Sequence, residues 1–375
     1  MEKRKWYNKD IETSLLGFGA MRLKTVNGEI DEELGFELFD KAYNAGVNYF
    51  DTALPYTDRK NEIFVGKALK RYPRESFYLA SKLSLFCFDS SEEAKKSVDM
   101  QLERLQTDYL DFYLIHALNK RSFQRFKEWN MLETVLEWKK QGKIKHLGFS
   151  FHDDLDTFKD ILNYYDGWEF VQIQLNYMDV DIQQGIEGYK ILEDKKIPVV
   201  VMEPVKGGKL AAFSDEAAKP FKEYSTASLA SWALRWVGTL PGVKVILSGM
   251  NSIDQLEDNL NTFNNFKPLD SEEQKRIEDV RKRIKKLTAV GCTSCQYCMP
   301  CPAGVNIPYN FTIYNDYKMY GNKDWVEWQF GGLKNNNADA SACVECQSCV
   351  EKCPQHIEIP ERLKDMRKDL DFLFK

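Results

Sequence analysis

Residues 31–56 read DEELGFELFDKAYNAGVNYFDTALPY. The first part, DEELGFELFDKAYNAG, has the make-up of an amphipathic helix and stops at Gly46, a natural helix terminator. It leads straight into the apolar run Val47–Phe50, which ends on Asp51, with Tyr56 in the loop that follows. A helix that delivers the chain into a short apolar strand is half of a βα repeat. The same rhythm extends outward on both sides, from residue 14 to residue 264. Apolar runs recur at Leu15–Phe18, Val47–Phe50, Phe77–Ala80, Tyr109–Ile115, Lys145–Phe149, Phe170–Leu175, Ile197–Met202 and Val243–Leu247. Between them lie polar turns and helix-like segments such as SEEAKKSVDMQLERL and MLETVLEWKKQGK, the latter stopping at Gly142. Strands alternating with helices pair in parallel, and a count of eight predicts a closed (β/α)8 barrel, the TIM barrel of the α/β class. Residues 3–13 precede the first strand and are expected to close the bottom of the barrel.

The chain has 375 residues, room for one such barrel and one small module. Hydrophobic residues make up 43% and charged residues 29%, which excludes a disordered chain. A net charge of −5 provides no positive field to recruit nucleic acid or an anionic membrane. No stretch approaches the ~18 uninterrupted apolar residues of a membrane span. The first ten residues, MEKRKWYNKD, are basic but have no apolar core, so no signal peptide and a cytoplasmic location are expected.

The segment Leu269–Ala289 is densely charged and reads as a solvated connecting helix. After Gly291 the composition shifts abruptly to cysteine, proline and aromatic residues. The expected division is a barrel over 1–268, a linker helix over 269–290 and a small, mainly α-helical module over 291–375. Eight of the nine cysteines lie in that module, between Cys292 and Cys353. The run Cys343-Val-Glu-Cys346-Gln-Ser-Cys349-Val-Glu-Lys-Cys353-Pro fits C-x2-C-x2-C-x3-C-P, the bacterial ferredoxin spacing. An earlier run, Cys292-Thr-Ser-Cys295-Gln-Tyr-Cys298-Met-Pro-Cys301-Pro, is one residue shorter in its last gap. In such runs the fourth cysteine serves the other cluster. This pattern predicts two 4Fe–4S clusters, one on Cys292, Cys295, Cys298 and Cys353, the other on Cys343, Cys346, Cys349 and Cys301. Zinc usually needs only two C-x2-C pairs, and disulfides need an exported chain, so both fit the doubled run less well. Cys87 stands apart as an inert thiol. Residues 305–332 read as mixed helix and loop, longer than a minimal ferredoxin turn. Tyr297, Trp325 and Trp328 read as packing around the clusters.

In a barrel of this kind the active site is built at the C-terminal ends of the strands. There the sequence places Asp51 and Tyr56 after strand two, Lys82 on strand three, His116 on strand four and Ser150 on strand five. Gln172 and Gln174 share one side of strand six. The chemistry of these groups is coherent. A phenol has an ordinary pKa of ~10 and is a poor acid near neutrality. A neighbouring ammonium, Lys82, is expected to lower it, with Asp51 holding Lys82 charged. Tyr56 would then protonate an oxygen that His116 orients.

The segments NYFDTALPY, the Lys82 strand and DFYLIHAL resemble the aldo-keto reductase family over about residues 10–265. Asp51, Tyr56, Lys82 and His116 match that family's catalytic tetrad in order, spacing and strand position. The resemblance implies a nicotinamide-dependent oxidoreductase acting on a carbonyl or an alcohol, with Tyr56 as general acid. It implies cofactor contacts from Met21, Asp51, Ser150, Gln172, Met202, Pro204, Val205, Gly207, Ser248, Gln255, Asp258 and Asn259. The C-terminal part resembles a subset of that family in which a two-cluster ferredoxin-like module follows the barrel.

Phosphate sites in these barrels often follow strands seven and eight. Strand seven runs into EPVKGGKL, where Gly207 and Gly208 allow close approach and Lys206 or Lys209 could supply charge. Strand eight runs into Ser252-x-x-Gln255, a capping box that starts a helix suited to an anion. Two features depart from the family pattern. Met202 stands where many relatives stack an aromatic ring on the nicotinamide, and Gly249 to Asn264 contains no basic residue for a 2′-phosphate. The sequence therefore leans towards NADH rather than NADPH. A nicotinamide gives two electrons together, whereas a cubane passes one at a time, and no flavin motif is evident. The module is accordingly expected either to serve a separate redox protein or to be structural. Two further readings of the whole chain are a nicotinamide-binding regulatory or sensor subunit docking on a redox complex, and an electron carrier with a vestigial barrel. An intact tetrad argues against the latter.

Overall fold

The computed structural model describes residues 1–7 and 9–375. Eight strands form a closed parallel barrel: β1 Leu16–Gly19, β2 Tyr49–Asp51, β3 Tyr78–Leu83, β4 Leu110–Leu118, β5 Ile144–Phe151, β6 Phe170–Gln174, β7 Val199–Met202 and β8 Val243–Ser248. Neighbours follow chain order, and β8 returns to pair with β1 through Ile246↔Leu16 and Ser248↔Phe18. Each expected apolar run supplies one strand. The intervening helices begin and end where local chemistry requires. Asp31 accepts the Leu34 N–H at 3.2 Å and starts helix Glu32–Asn44, and Gly46 leaves it at φ +93°.

One irregularity matters for the site. β4 pairs with β5 at Ile115↔Phe149 and again at Leu118↔Phe151, so β4 carries one extra residue between them. That bulge holds His116 and Ala117, the latter at φ +50°. Bulges re-aim side chains next to active sites. At the other end of the barrel, Lys3–Lys5 and Glu12–Ser14 form an antiparallel hairpin. Between them Trp6 and Ile11 pack with Tyr49, Phe112, Phe170 and Val245. Trp6 lies 4.6 Å from Phe112, centroid to centroid, and closes the bottom as expected.

The chain divides into two compact units, Met1–Gly207 with Ala230–Asp270, and Gly208–Leu229 with Ser271–Lys375. Helix Ser271–Lys286, read from its charge as a connector, lies in the second unit. So does the segment that follows Gly207. The second unit is built from this helix together with Asp215–Lys222, Ile307–Tyr320, Lys323–Asn335 and Ile359–Asp369. Val305, Phe311, Val326, Phe330, Leu363 and Met366 form its core. Within it Lys209 and Asp316 make a buried ion pair at 2.5 Å.

Candidate functional site

Lys82 is fully buried on β3, and its Nζ has three oxygen partners. It donates to Asp51 Oδ1 at 2.7 Å, to the Thr52 carbonyl at 2.8 Å and to the Tyr56 hydroxyl at 3.2 Å. Burial alone would push the Lys82 pKa down, but Asp51 and Tyr56 together raise it above its ordinary value. Lys82 is therefore a fixed cation. Burial pushes the Asp51 carboxyl up, and Lys82 pulls it back. Beneath β3 a buried carboxylate, Glu62, accepts from Ser81 at 2.7 Å and from Gln101 at 2.6 Å. Gln101 also donates to the Lys82 carbonyl at 3.1 Å, which holds the strand that carries the cation.

Tyr56 departs from the expectation that Lys82 makes it more acidic. Its pKa lies above the ordinary value, because burial outweighs the lowering by Lys82, and Asp51 adds to the rise. The phenol is thus neutral and holds its proton. His116 lies edge-on to it, with ring centroids 6.0 Å apart. Burial, then the charges of Lys82 and His152, push the His116 pKa well below its ordinary value, so the imidazole is neutral. Its Nδ1 is 2.6 Å from Ser84 Oγ, and the exposed ring of Phe86 lies 5.4 Å away. Ser84 and the Glu62–Gln101 pair were missed in the sequence. Ser84 stands two residues after Lys82, and strand alternation would have flagged it.

The expected cofactor residues fall into three groups. Ser150 and Gln172 are register partners on β5 and β6 and so stand side by side. Ser150 Oγ accepts the Ala117 N–H at 2.8 Å, and Gln172 Nε2 contacts Met202 Sδ at 3.3 Å. Among the described residues, Gln172 Oε1 is buried without a partner, as is Asp51 Oδ2. These unspent acceptors suit a ligand bearing amide or hydroxyl donors. Pro204 is buried, Val205 packs against the barrel core, and Gly207 takes φ +63°. Met21 is exposed.

At the end of β8, Ser252 accepts the Gln255 N–H at 3.3 Å, while the Gln255 side chain accepts the Asn251 N–H at 3.0 Å. The capping box is present, shifted by one residue on its return bond. Asn259 turns inward, with Nδ2 on Ser248 Oγ at 2.9 Å, and Asp258 is half-buried. Neither lysine expected to supply charge is unpaired. Lys206 grips both Asp179 oxygens at 2.6 and 2.7 Å, and Lys209 is tied to Asp316. Conversely, Arg22 lays its side-chain stem over Gly249, where an added Cβ would lie 2.7 Å from Arg22 Cγ. A basic residue thus reaches this loop from a distant part of the chain.

The thiols form two sets. Burial and the neighbouring charges of Cys292, Cys295 and Cys353 push the Cys298 thiol up. Burial and Cys301, Cys343 and Cys346 push Cys349 up to about 11. The backbone matches between the two loops: Ser294 and Gln296 take φ of 55° and 63°, and Glu345 and Gln347 take 56° and 66°. Successive amides in such alternating turns make anion-binding concavities typical of iron–sulfur sites. Ser294 N already donates to Cys292 Sγ at 3.4 Å. Among the described residues no three His, Cys, Asp or Glu side chains group to hold a single metal ion. Four thiols are the donor set of a 4Fe–4S cluster. Cys295 and Cys346 are exposed.

Residues 15–282 match the aldo/keto reductase family, and residues 291–358 match a 4Fe-4S dicluster domain. The chain is 27% identical over 311 residues to L-galactose dehydrogenase of Arabidopsis thaliana, covering 77% of this chain and 97% of that one. It is 29% identical over 224 residues to the NADH-specific methylglyoxal reductase of Escherichia coli K12, covering 54% and 66%. Among solved structures it resembles the holo form of aldo-keto reductase AKR11C1 from Bacillus halodurans, with a TM-score of 0.63 and 28% identity over 75% of this chain and 96% of that one. Among the described residues no helix is long and apolar enough to cross a membrane.

Proposed function

The chain belongs to the aldo/keto reductase family, and from that premise we propose that it reduces a small-molecule carbonyl, or oxidises the matching alcohol, with NAD(P)H and with Tyr56 as general acid. The observation that carries this reading is the Lys82 ammonium, held between Asp51 at 2.7 Å and the Tyr56 hydroxyl at 3.2 Å. The substrate oxygen takes hydrogen bonds from Tyr56 and from the neutral His116. The nicotinamide, when bound, supplies the hydride and with it both electrons. As the carbonyl π bond breaks, Tyr56 passes its proton to the oxygen, so one C–H and one O–H bond form. Negative charge then gathers on the phenol oxygen, beside Lys82. That charge exists only during proton transfer, so the ammonium stabilises the transition state more than the resting site. Asp51 keeps Lys82 charged throughout.

Ser150 and Gln172 are suited to the carboxamide of the nicotinamide, with Met202 as a soft wall beside them. The capped helix after β8 suits the phosphates. Residues 249–264 offer a 2′-phosphate no cation of their own, which favours NADH, while the Arg22 stem over Gly249 is the feature of this loop that weighs the other way. One relative is named for a sugar and another for methylglyoxal, which fits a small polar substrate.

We assign Cys292, Cys295, Cys298 and Cys353 to one cluster and Cys301, Cys343, Cys346 and Cys349 to a second. Such clusters, when bound, pass single electrons. The barrel reaction balances without them, so their electrons belong to exchange with a separate redox protein, and exposed Cys295 and Cys346 suit that role. The test is anaerobic purification followed by a carbonyl and alcohol screen with both nicotinamides. Turnover with tighter NADH than NADPH binding supports the reading. Nicotinamide binding without turnover on any carbonyl points instead to a regulatory subunit.

A further inference from the structure

We propose that Ser84 is a positioning residue for His116, fixing the imidazole with its proton on Nε2 and so aiming a donor at the substrate oxygen. The catalytic consequence rests on the reductase reading above; the placement of the proton does not.

Ser84 follows β3 directly and lies two residues after Lys82, so alternation carries both side chains to the same side of the barrel wall. It is 1% exposed, and its Oγ lies 2.6 Å from His116 Nδ1. A serine hydroxyl has one proton to give and lone pairs to receive. Among the described residues, His116 Nδ1 is the one hydrogen-bond partner of that hydroxyl. Two arrangements are open. If Nδ1–H donates to Oγ, the serine proton is left buried with no acceptor. If the hydroxyl donates to Nδ1, the serine proton is used and the imidazole proton sits on Nε2. The second arrangement leaves no buried donor unpaired, which is the rule in folded proteins.

The ring has one proton to place, because burial, then Lys82 and His152, keep it neutral. The bulge at His116 and Ala117 sets the direction of the ring, and Tyr56 meets it edge-on at 6.0 Å. With Nδ1 occupied by Ser84, the other nitrogen is the one free to serve the site. The pair Tyr56 and His116 then presents two donors, and the substrate oxygen is the acceptor for both.

The experiment is NMR of the holoprotein labelled with 15N-histidine. The chain has four histidines, and the His116 signals are identified by their loss in His116→Gln. The expected native spectrum shows Nε2 protonated and Nδ1 bare for His116. In Ser84→Ala both tautomers should appear. The variant's kcat/KM for the carbonyl should fall about tenfold to a hundredfold while nicotinamide affinity is unchanged, and Ser84→Thr should restore both spectrum and rate. A native spectrum with Nδ1 protonated overturns the proposal, even if Ser84→Ala fails to fold. So does a Ser84→Ala protein with an unchanged tautomer and rate. If the native protein turns over no carbonyl but shows the expected tautomer, the reductase reading fails and the placement by Ser84 stands.

Discussion

Lys82 reaches the Tyr56 hydroxyl at 3.2 Å, yet the phenol remains harder to ionise than a free tyrosine. The ammonium therefore does not prepare a phenolate in the resting protein. It waits for one. Replacing Tyr56 with Phe should lower turnover about a hundredfold to ten-thousandfold while nicotinamide binding, read by fluorescence titration, stays as it was. Undiminished turnover would remove Tyr56 from the proton-transfer role.

Removing the cation should unbalance the interior. Lys82→Met leaves the Asp51 carboxylate buried without its partner, and breaking a buried pair from one side costs about 3–5 kcal/mol. Lys82→Met combined with Asp51→Asn should lose less stability than the sum of the two single changes, as measured by urea unfolding. Additive losses would mean that the pair is not coupled.

Acid should weaken the fold through His116. Burial, Lys82 and His152 hold its pKa well below the ordinary value, so the native chain refuses a proton that the unfolded chain accepts near pH 6.5. The stability due to this site is complete above about pH 6.5 and declines as the pH falls towards the lowered native value. His152 is shifted in the same direction, chiefly by burial, and adds to the decline. Unfolding of His116→Gln, followed by tryptophan fluorescence between about pH 7 and pH 5, should lose stability less steeply than the native chain. Equal slopes would show that His116 is not a source of the acid sensitivity.

The two thiol sets predict an iron count. Anaerobically prepared protein should carry about eight irons and eight sulfides per chain. Cys349→Ser should strip one cluster and leave about four irons with the Cys292, Cys295, Cys298 and Cys353 set. Loss of every iron, or zinc in its place, would contradict two separate cubanes.

The barrel was legible because period and punctuation agree along the chain. Helix stops such as Gly46 and Gly142 punctuate the apolar runs, and each run supplied a strand. Asp51, Lys82 and His116 were legible because they sit where apolar runs end. The charge relations among side chains were not. Lys206 and Lys209 look like open cations in EPVKGGKL, but Asp179 and Asp316, distant in sequence, neutralise them. Arg22 stands more than two hundred residues from Gly249 and nonetheless covers it. The net acidity of Tyr56 was misjudged for a related reason. A neighbouring lysine can be read from strand positions, but the depth of burial that outweighs it belongs to the folded chain.

The duplicated left-handed turns at Ser294, Gln296, Glu345 and Gln347 have a price of their own. Side chains bearing a Cβ resist that backbone by about 1–2 kcal/mol apiece. Iron and sulfide are the natural restraint on these bends, so a polypeptide made under iron starvation should relax first at the two cysteine loops, with the cylinder of strands still intact. Limited proteolysis of such material should therefore nick near residues 294–296 and 345–347 before it touches the strands.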